Sequence, residues 1–412
     1  MIEVAEAAER ILAQIEPLPG EPVATGNAHG RILAGDVVAP LSSPPWDNSS
    51  MDGYAVRSAD LSAGAVLRVV EEIGAGAFPT RSIGRGEAAR IMTGAPVPEG
   101  ADSVIRHEDT DNGRERVVIN ITRDSGRNIR RAGEDFREGD ALFEAGQLLT
   151  IRHIGVLASA GLKSVIVHRR PKVAIISSGD ELVALDDFNS SLRQRKIVSA
   201  NSLTMMAAVR EAGGEPIDLG IARDDPDALR EKLELARDAD LIVTTAGISV
   251  GDHDHVRDVF ASLGGVLDFW KVRMRPGAPL GFGRLNGIPW IGLSGNPVSA
   301  IVTFELFVRA AIRRMLGARD LFRATIPVTL GEPVKLAASL MHFLRAMLTQ
   351  EQSGGFTATL AGSQSSAVLT ALARADALLI LPGDRLEYEA GEVVRAMPFD
   401  SAYRFADRLV LT

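Results

Sequence analysis

Apolar positions follow three different rhythms along the chain. At the amino terminus, MIEVAEAAERILAQIE places Ile11, Leu12 and Ile15 on one side of a helix. A Pro- and Gly-rich stretch follows (Pro17, Pro19, Gly20, Pro22), then a short extended piece around Val37. Between 46 and 136, brief apolar runs such as AVLRVVEEIGAG and ERVVINI alternate with Gly, Pro, Asn and Asp, which predicts a β-rich module. QLLTIRHIGVLASAGLKSVIVH, at 147–168, reads as a helix followed by a strand. Packed back on the amino-terminal part, it would make the β-rich module an insertion.

From Arg170 the rhythm changes to strand and helix in alternation. KVAIISSG, PIDLGIA, ADLIVTTAG and GIPWIGLSG are short apolar runs of the buried-strand type. NSLTMMAAVREAGG reads as a helix capped by Asn201 or Ser202. DDPDALREKLELAR reads as a helix with Asp225 as N-cap and Pro226 in its first turn. DHVRDVFASLG is a third helix, and NPVSAIVTFELFVRAAIRRMLG is apolar almost all round, as a buried helix is. After about residue 323 short strands return (ATIPVTL, MHFLRAML, FTATLAG, ALLILPG, EVVRAMPF) and predict a small terminal β-barrel. The fold class is therefore multi-domain α/β, with a doubly wound parallel-sheet domain at its centre. Four regions follow: 1–45 with 137–168, an inserted 46–136, an α/β domain at 169–322, and a barrel at 323–412.

Composition narrows the function. A chain of 412 residues with net charge −8 lacks the Lys/Arg excess that nucleic-acid binding requires, although a local basic pocket could still take a small anion. The absence of cysteine removes disulfides, thiolate metal sites and cysteine nucleophiles, and fits a reducing compartment. No run approaches the roughly 18 apolar residues of a membrane span. The acidic first helix is unlike a signal peptide, so a soluble cytoplasmic protein is expected.

Candidate chemistry sits at the ends of the α/β strands. SSGDEL (177–182), TTAGISVGDHDH (244–255) and GLSGNPVSA (292–300) are Gly- and Ser-bearing loops between strand and helix. Such loops bring peptide N–H groups and a helix dipole against an anion. Neither ordinary nucleotide-binding fingerprint is present. Asp180 and Glu181, Asp224 and Asp225, and Asp252 and Asp254 each follow a strand. Carboxylates gathered there can hold Mg²⁺ or simply cap helices, and capping suits Asp225 best. His253 and His255 read as surface or cap residues rather than ligands. WKVRMRPGAP spaces Lys271, Arg273 and Arg275 at alternate positions, which places them on one face of an extended segment suited to an oxyanion. These features alone would also serve a general Mg²⁺-dependent nucleotide hydrolase.

Eight stretches together resemble one family, the molybdopterin molybdenumtransferases, or molybdenum insertases, which include the carboxyl-terminal domain of gephyrin. They are DNSSMDGYAVR (47–57), IMTGAPVPEGADSVIRHED (91–109), NIRRAGEDFREGD (128–140), SSGDEL, ISVGDHD, WKVRMRPG, GNPVSA and GSQSSAVLTALARADALLILP (362–382), in the family's order. The resemblance implies four subdomains and an elongated homodimer in which one subunit's β-rich module faces the other's α/β domain. It also implies insertion of molybdate into adenylylated molybdopterin with Mg²⁺-assisted release of AMP. It leaves room for a molybdopterin adenylyltransferase as partner, and for neither nucleic acid nor membrane. By position it assigns catalytic roles to Asp52, Asp135, Glu181, Asp224, Asp254 and Lys271, with Glu181, Asp224 and Asp254 as metal ligands. Substrate contacts fall to Thr93, Arg130, Ser177, Gly179, Gly247, Ser249, Gly251, Arg275, Gly295, Asn296, Pro297, Arg345 and Ser366.

The chain also departs from the pattern. Arg275 and Ala278 stand where lysines are usual, Ser294 where proline is, Ala246 where the first of two glycines is, and Ser199 where aspartate is. Ser365 replaces a common glycine and Asp376 a common asparagine. The preceding loop, ALDDFNSSLRQRK, lacks the family's Gly-Pro turns. Arginine is a planar fork rather than a point charge, and losing the charge at 278 would weaken oxyanion binding by about 1–3 kcal/mol. Those changes also suit a diverged relative that binds a pterin or nucleotide, or scaffolds a partner, without turnover.

Overall fold

The computed structural model describes residues 1–189, 196–246, 255–351 and 354–399. Its centre is a six-stranded sheet in the order Glu215–Ala222, Lys172–Ser178, Leu241–Thr245, Ile288–Leu293, Pro279–Leu285, Val266–Lys271. The first four strands run parallel, Pro279–Leu285 runs antiparallel to them, and Val266–Lys271 pairs antiparallel with Pro279–Leu285. Leu241–Thr245 is buried at every position, as a central strand covered on both faces must be. One face carries Ala174, Ile176, Ile242, Trp290 and Phe260. The other face packs Val173, Ile175, Val243 and Ile291 against Met205, Phe304, Phe307 and Ile312. Ala7, Ile11 and Ile15 join that second core, so the opening helix Val4–Ala13 is held by the α/β unit.

Asp225 caps Pro226–Leu235 through a 2.9 Å hydrogen bond from the Ala228 N–H, with proline in the first turn. The preceding helix, Ala200–Glu211, starts two or three residues earlier than Asn201 or Ser202 would place it as cap. Its N-cap is Ser199, and the Asn201 and Ser202 side chains are committed elsewhere. The long apolar segment after Asn296 is helical as Pro297–Thr303 and Arg309–Met315, joined by a π turn at Phe304–Val308. Inside it Glu305 and Arg309 pair at two atoms, 2.6 and 2.8 Å, with both side chains buried.

The strand Gly20–Ala24 pairs antiparallel with Ser164–His168, bringing the amino-terminal region against the second half of 137–168. Between them, Ser103–Arg106, Gly53–Val56, Glu87–Ile91, Ala65–Ile73 and Arg116–Ile119 form a five-stranded sheet. At the carboxyl end, Met341–Gln350, Phe356–Leu360, Ile326–Leu330, Val393–Pro398 and Ala377–Leu381 follow one another and close when the last pairs with the first. Their enclosed core is Val328, Leu344, Ala346, Leu379 and neighbours. A short strand of the α/β unit, Met274–Arg275, adds in parallel to Met341–His342 and ties the two units together.

Candidate active site

The carboxyl ends of Lys172–Ser178, Leu241–Thr245 and Ile288–Leu293 open into a cleft of about 1330 Å³. Its far wall is the barrel segment Gln364–Ala367, and its side is the turn from Met274 to Pro279. This is where an open α/β sheet binds ligands. Among the described lining residues only Glu181 and Arg275 are ionisable, and neither makes an ion pair or side-chain hydrogen bond with another described residue. Hydroxyls, carboxamides and peptide groups make up the remaining polar surface.

Four hydroxyls are fused beneath the cleft floor. Ser177 Oγ lies 2.8 Å from Ser202 Oγ, 3.0 Å from Thr245 Oγ1 and 3.3 Å from Ser199 Oγ, and Ser199 is 2.8 Å from Ser202. Beside them Asp224 accepts from the Ser178 hydroxyl at 3.0 Å and the Asp180 N–H at 3.4 Å, fastening two strand-end loops together. Gly179 has φ +149°, and a Cβ there would meet the Glu181 carboxylate at 2.6 Å, so glycine lets that carboxylate fold back over the loop.

The third strand end leads through Ser294, Gly295 and Asn296 into Pro297–Thr303. Asn201 Nδ2 donates to Gly295 O at 2.9 Å, and the Asn296 N–H donates to Ser294 Oγ at 3.3 Å. One free N–H of the helix start, that of Val298, donates to Ser366 O across the cleft at 3.1 Å. Ala246 is left-handed (φ +75°), and a Cβ on Gly295 would sit 3.0 Å from its own Cβ. Two successive strand-end turns therefore touch through a methyl group where neither has room to grow.

The basic segment is not one cationic face. Lys271 ends the strand Val266–Lys271, outside the cleft lining, and its carbonyl accepts the Ile2 N–H. Arg273 turns to Glu3, 2.8 Å away, and Arg275 alone enters the cleft, from the separate strand Met274–Arg275. The strand breaks at Val272–Arg273 to leave one sheet and join the barrel, so the alternation that would align the three side chains is lost.

Known proteins match this chain over most of its length. Three family models match in chain order: MoeA N-terminal region (domain I and II) over 2–161, a probable molybdopterin binding domain over 174–314, and MoeA C-terminal region (domain IV) over 327–399. Molybdopterin molybdenumtransferase 2 of Mycobacterium tuberculosis is 40% identical over 375 residues, spanning 88% of this chain and 91% of that protein. The chain belongs to the molybdopterin molybdenumtransferase family. The molybdopterin molybdenumtransferase of Staphylococcus aureus strain COL is 35% identical over 403 residues, 95% of this chain and 94% of its own. The molybdopterin biosynthesis moeA protein from Pyrococcus horikoshii OT3 superposes with a TM-score of 0.82 at 28% identity, covering 97% of this chain and all of that one.

Within this transferase chain the expected site residues fall into four groups. Ser177, Gly179, Glu181, Asp224, Arg275, Gly295, Asn296, Pro297 and Ser366 lie in or directly behind the cleft wall. Arg345 lies behind the barrel wall. It is fully buried, its Nη2 donates to Ser363 O (3.0 Å) and Ser365 O (3.1 Å), and its Nε and Nη1 have no partner among the described residues. Burial with no carboxylate beside it pulls the guanidinium pKa down. Asp52, Thr93, Arg130 and Asp135 sit on the five-stranded module and its closing segment, outside the lining. There Asp52 accepts the Thr93 N–H (2.6 Å) and hydroxyl (2.7 Å), which hold its carboxyl below the usual carboxylate range. Gly247, Ser249, Gly251 and Asp254, with Asp252 and His253, lie outside the described residues.

The oxygen donors suit a hard cation. Glu181 is free at the cleft edge and Asp224 stands at the adjoining loop, although the described residues contain no cluster of three metal-binding side chains. The sequence singled out neither Gln364 nor Thr245, and it showed Ser199 only as a departure from the family pattern and Ser202 only as a candidate cap, not as one hydroxyl set. Their only local sign is the concentration of small polar residues immediately after buried strands.

Proposed function

We propose that this chain inserts molybdate into adenylylated molybdopterin and releases AMP, in the cytoplasm, as part of molybdenum cofactor biosynthesis. The observation that carries the reading is the pairing, in one cleft, of the Asn296–Pro297 helix start with the free side chains Arg275 and Glu181. The Gly295 turn and the hydroxyls of the strand-end loops suit phosphate oxygens, and Arg275 is the positive charge among the described lining residues. Adenylylated molybdopterin carries its phosphates in tandem, so a cleft that alternates N–H groups and hydroxyls fits it without a row of lysines. The chemistry adds one water across the phosphoanhydride, leaving one phosphate on the pterin and one on AMP, while the two dithiolene sulfurs displace one molybdate oxygen, which leaves with the two thiol protons as water and keeps the metal's oxidation state.

Mg²⁺ fits the oxygen donors, with Glu181 and Asp224 as the residues that would hold it. It would neutralise phosphate charge as AMP leaves. Arg345, whose Nε and Nη1 have no partner among the described residues, stands behind the barrel-side wall as the candidate oxyanion donor, with Ser366 on the cleft face. Two consequences of the family reading go with it. The chain divides as 1–45 with 137–168, 46–136, 169–322 and 323–412. A homodimer would bring Asp52, Thr93, Arg130 and Asp135 of one copy to the cleft of the other, and an adenylyltransferase would supply the substrate.

The test is AMP release from adenylylated molybdopterin and Mg²⁺, measured with and without molybdate. Molybdate-dependent release supports the reading. Tight binding of the pterin nucleotide with no release under either condition refutes it, and leaves a pterin-binding protein without turnover.

A further inference from the structure

The strand Met341–Gln350 runs alongside Phe356–Leu360 only as far as the Ala346–Leu360 pair. One more backbone bond follows, from Ala361 N to Arg345 O at 2.9 Å, and the neighbouring chain then turns away at Gly362 (φ +87°). The next ladder position is filled by a side chain. Gln364 Oε1 accepts the Arg345 N–H at 2.9 Å, and Gln364 Nε2 donates to Arg345 O at 3.0 Å and to Gly362 O at 3.1 Å. A carboxamide carries the same donor and acceptor as a peptide group, so the half-buried Gln364 side chain substitutes for a missing strand residue beside the buried Arg345.

Two further links bind the same five residues. Arg345 Nη2 holds the carbonyls of Ser363 and Ser365, and Ser366 O takes the Val298 N–H of the cleft helix. The segment 362–366 is thus wrapped on the backbone and the guanidinium of one buried arginine, and its outer face lines the cleft. Arg345 Nε and Nη1 have no partner among the described residues, and a buried unpaired donor is costly, so an incoming acceptor gains by meeting it.

We propose that Gln364 is a positioning residue for the oxyanion. By completing the ladder at Arg345 it fixes the direction of the free guanidinium N–H groups and the Ser365–Ser366 segment beside them. This deepens, and rests on, the insertase reading. Gln364 need not touch the pterin nucleotide, whose phosphates are met at the opposite wall of the cleft.

The experiment compares Q364A and Q364M with the unaltered full-length chain, in AMP release over a range of molybdate concentrations and in molybdate-free titration of adenylylated molybdopterin. The expected result is a molybdate KM raised tenfold or more, kcat within about threefold, and an unchanged Kd for the pterin nucleotide. An unchanged molybdate KM in both variants overturns the proposal. So does a loss of pterin-nucleotide affinity equal to the loss in molybdate KM, because a collapsed wall would produce it. Q364E keeps the acceptor for the Arg345 N–H but cannot donate to Arg345 O. If the other two variants do not fold, its molybdate KM decides, a rise supporting the proposal and a wild-type value overturning it. Should the unaltered chain show no molybdate-dependent release, the insertase reading fails on its own. Calorimetric titration with molybdate alone then decides Gln364, since weaker binding by Q364M supports its role and equal binding ends it.

Discussion

Removing the Glu305 carboxylate should strongly destabilise the α/β unit while touching none of the cleft lining. Glu305 accepts from Arg309 Nε and Nη2 at 2.8 and 2.6 Å and from Arg323 Nε at 2.7 Å. Its side chain and that of Arg309 are only 6% and 7% exposed, so neither charge can fall back on water. Truncating one partner of a buried pair costs about 3–5 kcal/mol, mostly from the charge left behind. Glu211 remains 3.2 Å from Arg309 and 2.7 Å from Arg323, which brings Glu305→Ala to the lower end, about 3 kcal/mol. At about 2–4 °C per kcal/mol for a unit of this size, the melting temperature should fall by roughly 6–12 °C. Differential scanning calorimetry and urea titration of the full chain read this directly. The paired variant E305L/R309M, which removes both charges, should lie within about 1 kcal/mol of wild type, since well-packed apolar replacements of buried pairs are often neutral. A loss below about 1 kcal/mol in E305A would refute the reasoning, because it would mean the arginines find water or other partners.

Three other outcomes follow from the geometry. Glu181→Gln should weaken Mg²⁺ activation tenfold or more while changing stability by less than about 0.5 kcal/mol, because the side chain is exposed and unpaired; Mg²⁺ titration of AMP release checks it. Thr93→Ala removes one of the two donors that depress the Asp52 carboxyl, so that group titrates higher and the acid limb of the pH–rate profile should move to higher pH. At Asp240, burial works to raise the carboxyl, but the Arg169 bridge and the Lys172 N–H outweigh it and hold it below the ordinary value. Its contribution is present above the unfolded-state pKa and lost as pH falls through the folded one, so Asp240→Asn should flatten the acid side of the stability profile.

The sheet was legible because its strands are short apolar runs that stop at Gly, Ser or Asp, and Asp225 because an N-cap before proline is a local signal. What could not be read is what depends on partners far along the chain. Lys271, Arg273 and Arg275 alternate on paper, yet the strand carrying them breaks at the point where two folded units meet. Asn201 and Ser202 resemble caps, but the first is claimed by Gly295 O, ninety-four residues away, and the second by Ser177. Gln364 is invisible to periodicity, since its role is to imitate backbone. The opening helix shows an apolar stripe without showing which core receives it. Only the fold reveals that Ala7, Ile11 and Ile15 enter the α/β unit.

The parallel pairing of Met274–Arg275 with Met341–His342 sets limits on how the protein could be divided. A fragment ending near residue 323 would keep every strand of the central sheet but leave Met274–Arg275 without its partner. The barrel made alone would carry the matching bare edge at Met341–His342. Each piece would offer open N–H and C=O groups, the usual starting point for edge-to-edge association. The same stitch rules out a hinge along this wall: opening the cleft here would mean tearing a sheet.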